Sequence, residues 1–147
     1  TDVEAAIGRE QLKRLDDMLA TRRRNAQLLN EGLAEIPGIR HQKVTEHSSH
    51  AWHQYCVIVD PETYGCTRDE LRENLQENGV GSGVHYPRGL HQQPIFEHLA
   101  AEASFPHTEQ LAENILALPV HHGLNEEHIT SVVQAIHRCC ENNNQKR

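Results

Sequence analysis

One apolar stripe at helical spacing occupies the N-terminal quarter of the chain, and it constrains the fold more than any other feature. Its members recur at steps of three, four and seven residues: Leu12, Leu15, Leu19, Ala26, Leu29 and Leu33. This spacing predicts one long amphipathic helix over about residues 2–36. Thr1 and Glu4 have the form of a capping box that begins the helix, and Pro37-Gly38 is a typical end signal.

The predicted helix is long for the core that the chain can build. It would measure about 50 Å, whereas only 37% of the 147 residues are hydrophobic. Two interpretations follow. Either the helix is broken near Gly8 or Gly32, or its first half packs on a surface outside this chain. The low mean hydropathy of -0.68 favours the second interpretation, and an exposed apolar stripe also predicts self-association.

Downstream of residue 37, short β-favouring runs alternate with helical segments. Strands are predicted over residues 55–59, 80–86 and 115–118. Helices are predicted from the capping box Thr67-Arg-Asp-Glu70 to Asn78-Gly79, over 95–103, over 107–113, and from Asn125 with Ile129, Val132, Val133 and Ile136 inward. Residues 40–50 are expected to form a loop and 142–147 a frayed tail. This order predicts the α/β class, as a small α/β sandwich, and leaves the strand directions open.

Charge and hydropathy disfavour several classes of function. The formal net charge is -7, and the densest basic run, Arg22-Arg23-Arg24, lies inside the helical pattern. Binding to nucleic acid is therefore not expected. The sequence has no run of about 18 apolar residues and no signal-peptide pattern at its start. These observations predict a cytoplasmic protein that does not associate with membranes.

The cysteines and histidines were considered as redox or metal sites. None of the four cysteines, Cys56, Cys66, Cys139 and Cys140, forms a C-x-x-C pair, which favours reduced thiols. A disulfide from Cys56 or Cys66 to the end of the chain is the alternative. Twelve histidines are present, and His50 and His53 have a spacing that zinc accepts. No cysteine or carboxylate accompanies them at ligand spacing, so no metal site is predicted.

A polar loop between prolines is the strongest candidate for binding chemistry. The sequence has no G-x-S-x-G, H-E-x-x-H, P-loop or dinucleotide fingerprint. The glycine-rich run 79–83 follows a predicted helix, so it is interpreted as a bulged or closely approached strand and not as a phosphate cradle. Residues 84–94 then place two histidines, a tyrosine and amides close together. Such a loop suits substrate hydroxyls or a phosphate, or it is a turn whose polar groups satisfy each other.

Three segments, in order, resemble the DegT/DnrJ/StrS family of aminotransferases that depend on pyridoxal phosphate (PLP). They are TDVEAAIGREQLKRL at 1–15, GVGSGVHYPRGLHQQPIF at 79–96 and SFPHTEQLAENILALPVHHGLNEEHI at 104–129. The resemblance extends over residues 1 to about 136. It implies that residues 1–147 are the C-terminal small domain of a fold type I PLP-dependent transferase, with the long helix at its start and the large PLP-binding domain outside it.

The resemblance also implies an activity and its partners. Family members are homodimers that transfer an amino group from a donor, commonly glutamate, to a nucleotide-linked keto sugar or a keto cyclitol, in pathways such as cell-wall or polysaccharide biosynthesis. PLP forms a Schiff base with a lysine of the large domain. Lys13, Lys43 and Lys146 do not resemble the lysine segment of the family. No catalytic residue is therefore expected in this chain, and the chain alone is expected to be inactive and to bind no PLP covalently.

Five residues are predicted to lie on the substrate side. His85 and Tyr86 match the H-Y-P element of the family, and His91 and Gln93 match its L-H-x-Q-P continuation. Arg88 stands where the family usually has an apolar residue, and it would face either a diphosphate or carboxylate or, as we favour, solvent. The alternative to an enzyme part is a non-catalytic remnant or a binding or regulatory module, with a zinc-binding module as a more distant third.

Overall fold

The computed structural model describes residues 1–100 and 103–144. The helices are α1 Asp2–Leu12, α2 Leu15–Leu33, α3 Pro61–Tyr64, α4 Arg68–Glu77, α5 Glu97–Ala100, α6 Pro106–Asn114 and α7 Glu126–Asn144. The strands are β1 Ile39–His41, β2 Tyr55–Val59 and β3 Ile115–Leu118, and 3₁₀ turns occupy Leu90–Gln92 and Pro94–Phe96. None of the described helices is long and apolar enough to cross a membrane.

The three strands form one antiparallel sheet in the order β1-β2-β3. Residues of β2 that alternate along the strand, Tyr55, Val57 and Val59, are fully buried. The register pairs Tyr55 with Leu118 and Val57 with Leu116, so these side chains share one face of the sheet. The directions that the sequence left open are thus antiparallel.

Helices α2, α4 and α7 cover this face and complete the core. Their buried residues form one cluster with the strands, and the helical members include Ala26, Leu29, Leu33, Leu71, Leu75, Ile129, Val132 and Ile136. Val133, which was expected to face inward, is only partly buried. α2 packs closely on α7 at Gly32, where an added Cβ would lie 2.7 Å from Cγ2 of Val133. The predicted small α/β sandwich is confirmed.

The prediction of one helix over residues 2–36 is wrong, because the helix is broken between Leu12 and Leu15. At the break Arg14 has φ -103° and ψ -1°, and its amide donates to the carbonyl of Gln11 only three residues back. This tight turn replaces the regular ladder of hydrogen bonds. Neither glycine that was considered as the break point causes it, since both lie inside helices.

Helix α1 begins at the predicted capping box but buries no residue. Its apolar side chains Val3, Ile7 and Leu12 are 70%, 59% and 67% exposed. The apolar face of the first half of the stripe therefore has no cover among the described residues. Helix α2 buries side chains only from Asn25 onward.

Further differences from the sequence prediction involve polar or glycine-rich segments. Strand β1 includes the first residues of the expected loop. It was not predicted, because only Ile39 of this edge strand is buried and the strand therefore shows no alternation of apolar and polar residues. The predicted strand 80–86 is reduced to a single bridge between Gly83 and Ala117. The short helix α3 was not predicted, and α7 continues to Asn144, beyond the expected start of the tail. Residues 101–102 of the predicted helix and 145–147 of the tail lie outside the described residues.

Candidate functional site

A cleft of about 530 Å³ lies between the polar loop and helix α6. The loop contributes His85, Tyr86, Arg88, Gly89, Leu90 and Gln93, and α6 with the start of β3 contributes Thr108, Leu111, Ala112 and Ile115. Polar groups thus occupy one wall and mainly apolar side chains the other. This combination is typical of sites for small molecules with a polar and an apolar face.

Backbone hydrogen bonds attach the start of the loop to the fold, and a local hydrogen bond closes its second half. Gly83 exchanges two bonds with Ala117 of β3, with N···O distances of 3.0 and 2.8 Å. At the other end the side chain of Gln92 accepts from the amide of Gly89 (3.0 Å), which closes the 3₁₀ turn. The peptide bond between His85 and Tyr86 is cis. The loop is therefore held beside the last strand and presents its side chains to the cleft.

Four of the five predicted substrate-side residues line this cleft: His85, Tyr86, Arg88 and Gln93. Tyr86 is 73% exposed, and Arg88 is also exposed. Their polar groups are accessible to a molecule in the cleft, and direct substrate contact stays a prediction for all four.

His91, the fifth predicted residue, is not among the residues that line the cleft. Its Nε2 donates to Oε1 of Glu109 in the first turn of α6 (3.0 Å), and its ring packs on Phe105 with centroids 4.9 Å apart. The side chain of His91 is only 10% exposed. The geometry therefore makes His91 the bridge between the loop and α6, the two walls of the cleft.

Glu109 is the anchor of this bridge. The same Oε1 atom also accepts from the amide of Phe105 at 2.9 Å. The hydrogen bond from the Phe105 amide is the main reason that the pKa of Glu109 lies below its ordinary value. Desolvation opposes this effect, and the hydrogen bond and charge of His91 each lower the pKa by a smaller amount. The positive end of the helix dipole at the start of α6 also stabilises the carboxylate of Glu109.

Helix α6 supplies the part of the site that sequence reasoning missed. Leu111 is 44% exposed although it is apolar. Its neighbours Thr108 and Ala112 face the same cleft. Residues 108, 111, 112 and 115 have the spacing of one helix face, which in sequence looks like any face that packs on a core. They form a wall of the cleft because the loop does not cover them.

His85 also lines a second hollow of about 440 Å³. Arg22, His53 and His121 contribute cationic or protonatable groups to it. Nη1 of Arg22 donates to the carbonyls of Trp52 (2.8 Å) and His53 (3.2 Å), which fixes the segment before β2. Asn25 fixes the loop after β3 in the same way, because its buried Nδ2 donates to the carbonyls of His121 and Leu124.

The hollow contains one polar atom that lacks a partner. Oγ of Ser82 is buried and makes no hydrogen bond among the described residues. A buried hydroxyl without a partner costs free energy.

The lysines described here do not fit a Schiff base with PLP. Lys13 lies on the exposed helix α1 and pairs with Glu10 at 2.6 Å, with both side chains 67% exposed. Lys43 is an exposed loop residue. Neither lines the cleft or the hollow, and Lys146 lies outside the described residues. No chemical step through PLP is therefore assigned to these residues.

The histidine pair considered for zinc is used differently. Nδ1 of His50 accepts from the amide of Trp52 (2.9 Å), and the two rings are 4.3 Å apart. Within residues 1–100 and 103–144, no three histidine, cysteine, aspartate or glutamate side chains are grouped as metal ligands.

Known proteins match this chain in sequence and in structure. The sequence profile of the DegT/DnrJ/EryC1/StrS aminotransferase family matches residues 1–137. The spore coat polysaccharide biosynthesis protein SpsC of Bacillus subtilis (strain 168) is 33% identical over 137 residues, which is 92% of this chain and 35% of SpsC.

Two solved structures superpose closely on this chain. DesV of S. venezuelae, in complex with a ketimine intermediate, is 30% identical with a TM-score of 0.85, over 93% of this chain and 36% of DesV. DesI, in the presence of its TDP-sugar product, is 27% identical with a TM-score of 0.80, over 88% of this chain and 33% of DesI. The chain spans about a third of the length of the relatives that it matches.

Proposed function

The chain belongs to the DegT/DnrJ/EryC1/StrS aminotransferase family, and we propose that its residues form the small domain of a PLP-dependent enzyme that aminates a nucleotide-linked keto sugar or keto cyclitol. The cleft between the polar loop and α6 carries this proposal, because four residues singled out by sequence line it together. SpsC acts in spore coat polysaccharide biosynthesis by its name, and DesI has a TDP-sugar as product. A nucleotide sugar is therefore the proposed substrate class, with an amino acid as donor.

The two walls of the cleft have complementary tasks in this proposal. Hydroxyl and amide groups of Tyr86 and Gln93 bind sugar hydroxyls, and the guanidinium of Arg88 pairs with a diphosphate. The apolar wall around Leu111 excludes water from one side of the bound molecule. For His91 we propose a positioning role, since its bond to Glu109 sets the separation of the two walls.

The second hollow suits an anionic group of the substrate or of the amino donor. His53, His85 and His121 offer ring nitrogens, and Arg22 adds a fixed positive charge. Such donors favour phosphate or carboxylate over neutral ligands. His85 lines both spaces and would contact the part of the ligand that lies between them.

The exposed face of α1 is the proposed contact to the rest of the enzyme. Its three apolar side chains are more than half exposed, and the relatives have about twice as many further residues as this chain spans. We propose that the large PLP-binding domain covers this face, and that the complete enzyme is a homodimer. PLP supplies the electron sink for amino transfer when it is bound, and we propose that its lysine belongs to the large domain, so that this chain alone is inactive.

Kinetics of the complete enzyme test the assignment of the cleft. Tyr86→Phe and Arg88→Gln should each raise KM for the nucleotide sugar by roughly 3- to 10-fold, the loss of one hydrogen bond or ion pair. KM for the amino donor should change less. Arg72→Gln, an exposed arginine on α4 outside the cleft, is the matched control and should leave both constants unchanged.

The same assay distinguishes the alternative function. A non-catalytic remnant or regulatory module would bind no PLP and show no turnover even when the rest of the polypeptide is present. Unchanged KM values in both cleft variants of an active enzyme would instead remove the cleft from the substrate site and leave the family assignment intact.

A further inference from the structure

Three of the four cysteines cluster around one buried tyrosine. Tyr64, at the end of α3, is fully buried, and its hydroxyl donates to the carbonyl of Ile136 in α7 (2.7 Å). Desolvation, followed by the nearby thiols of Cys139, Cys66 and Cys140, raises the pKa of Tyr64 well above its ordinary value. The cluster therefore lies at the junction of α3, α4 and α7.

Two of these thiols point at each other. The Sγ atoms of Cys66 and Cys139 are 3.9 Å apart. Cys66 lies in the short connection between Gly65, which caps α3, and Thr67, which caps α4. Cys139 lies in α7 and is 5% exposed. The contact thus joins two segments that are 73 residues apart in sequence.

We propose that Cys66 and Cys139 are a reversible oxidation site that forms a disulfide by exchange with a small-molecule disulfide of the glutathione type. A disulfide needs the sulfur atoms at about 2.05 Å, so the two must approach by about 1.9 Å from their present separation. Rotation of the side chain of Cys66 supplies this movement, because a residue in a connection is less restrained than one inside α7.

The reaction proceeds in two balanced steps. The thiolate of Cys66, the more accessible of the two, attacks one sulfur of the small disulfide and releases one small thiol. The thiolate of Cys139 then attacks Sγ of Cys66 and releases the second small thiol. The two protons of the protein thiols end on the released thiols. The protein dithiol loses two electrons, and the small disulfide gains these two electrons.

The other cysteines are poorer partners. Cys140 follows Cys139 in α7, where successive side chains point in directions about 100° apart, and the observed sulfur contact of Cys66 is with Cys139. Cys56 lies in β2, outside the cluster, where its amide donates to the side chain of Gln42, and burial raises the pKa of its thiol. A higher pKa lowers the fraction of thiolate and slows exchange.

The disulfide should stabilise the fold measurably. It closes the segment 66–139 into a loop, which restricts the unfolded chain more than a short loop would. Oxidised protein should therefore unfold at a higher urea concentration than reduced protein, and dithiothreitol should reverse the shift.

Peptide mapping of the intact, folded protein is the test. The protein is incubated with glutathione disulfide, remaining thiols are alkylated, and trypsin separates peptide 44–68 from peptide 139–146. The expected product is one linked species, lighter by two hydrogens than the two singly alkylated peptides together. Fragmentation between Cys56 and Cys66 and between Cys139 and Cys140 assigns the bond. Dithiothreitol should restore the two separate peptides.

Matched variants check the assignment independently. Cys56→Ala and Cys140→Ala should retain the linked species, whereas Cys66→Ala and Cys139→Ala should lose it. A persistent glutathione adduct on Cys66, a bond to Cys140, or complete alkylation of all four cysteines would each overturn the proposal. Fragmentation of the linked peptide from wild-type protein identifies the two bonded cysteines even when a variant fails to fold.

Discussion

Arg68 shows how one buried cation can join three elements. It is 6% exposed, and its Nη1 donates to the carbonyls of Ala112 (3.2 Å) and Ile115 (3.0 Å), where α6 ends and β3 begins. Its Nε lies 2.7 Å from Oδ1 of Asp69, although it is not aligned for a hydrogen bond. Arg68 therefore satisfies the carbonyls at the floor of the cleft.

Replacing Arg68 should destabilise the fold. Arg68→Met leaves two buried carbonyl oxygens without their donor, and we expect a loss of about 2–4 kcal/mol in the free energy of unfolding by urea. Arg72→Met, on the same helix but exposed, should change it by less than about 0.5 kcal/mol. Equal effects of the two substitutions would show that the buried bonds of Arg68 contribute nothing.

The bridge between His91 and Glu109 predicts a dependence of stability on pH. The pKa of Glu109 is lowered in the folded state from 4.5, so its ionised form stabilises the fold. This contribution is complete above the unfolded pKa and is lost as the pH falls through the folded one. The difference in unfolding free energy between wild type and Glu109→Gln should therefore be largest near neutral pH and shrink below about pH 4.5. A difference that stays constant down to pH 3 would contradict the ionic role of Glu109.

At the scale of elements, the packing of α2 on α7 depends on a glycine. Alanine usually stabilises a helix interior by about 1 kcal/mol relative to glycine. Gly32→Ala should instead destabilise the fold by about 1–3 kcal/mol, because the added methyl group would meet Val133 at 2.7 Å. The cost of Gly32→Ala should be smaller in a Val133→Ala background, which a double-mutant cycle measures.

Gly8 provides the control for this substitution. It is also helical, but an added Cβ meets nothing within 4 Å. Gly8→Ala should not destabilise the protein, and it should raise the stability of the helix by at most about 1 kcal/mol. If both alanine variants changed the free energy of unfolding equally, the close packing of Gly32 on α7 would contribute nothing to stability.

Helix α1 should also differ from α2 in its dynamics. No residue of α1 is buried, whereas α2 buries Leu29 and Leu33 completely. In the chain alone, the amides of α1 should exchange with deuterium roughly tenfold faster, or more, than those of residues 25–33. Equal protection of the two helices would mean that the face of α1 is covered in the chain itself.

These elements also show what a sequence can predict. Both capping boxes, at Thr1 and at Thr67, form as expected because their bonds join residues only three apart. The break after Leu12 has no glycine or proline to mark it, and it was missed. Strand β1 was missed for another reason, since an edge strand with one buried residue lacks the alternation that identifies strands.

The candidate site divides in the same way. The polar loop could be identified from its residue types, and four of its five selected side chains do line the cleft. The bond of His91 to Glu109 and the wall formed by α6 depend on how segments 18 or more residues apart meet, which no local pattern contains. Direct substrate contact by these residues stays a prediction.

At the scale of the whole molecule, we propose that this chain forms one part of a divided active site. The chain spans about a third of the length of SpsC and DesV, and its described lysines line neither the cleft nor the hollow. In this proposal the open cleft and the exposed apolar face of α1 belong to one side of a larger site.

The most direct test is the rate of amino transfer from glutamate to a nucleotide-linked keto sugar in the presence of PLP. It should be measured for this chain alone and for the chain joined to a PLP-binding large domain of the same family. We expect no turnover by the chain alone and turnover by the joined protein. Steady turnover by the pure chain would contradict the divided site, and a joined protein that binds PLP but never aminates a sugar would contradict the proposed function.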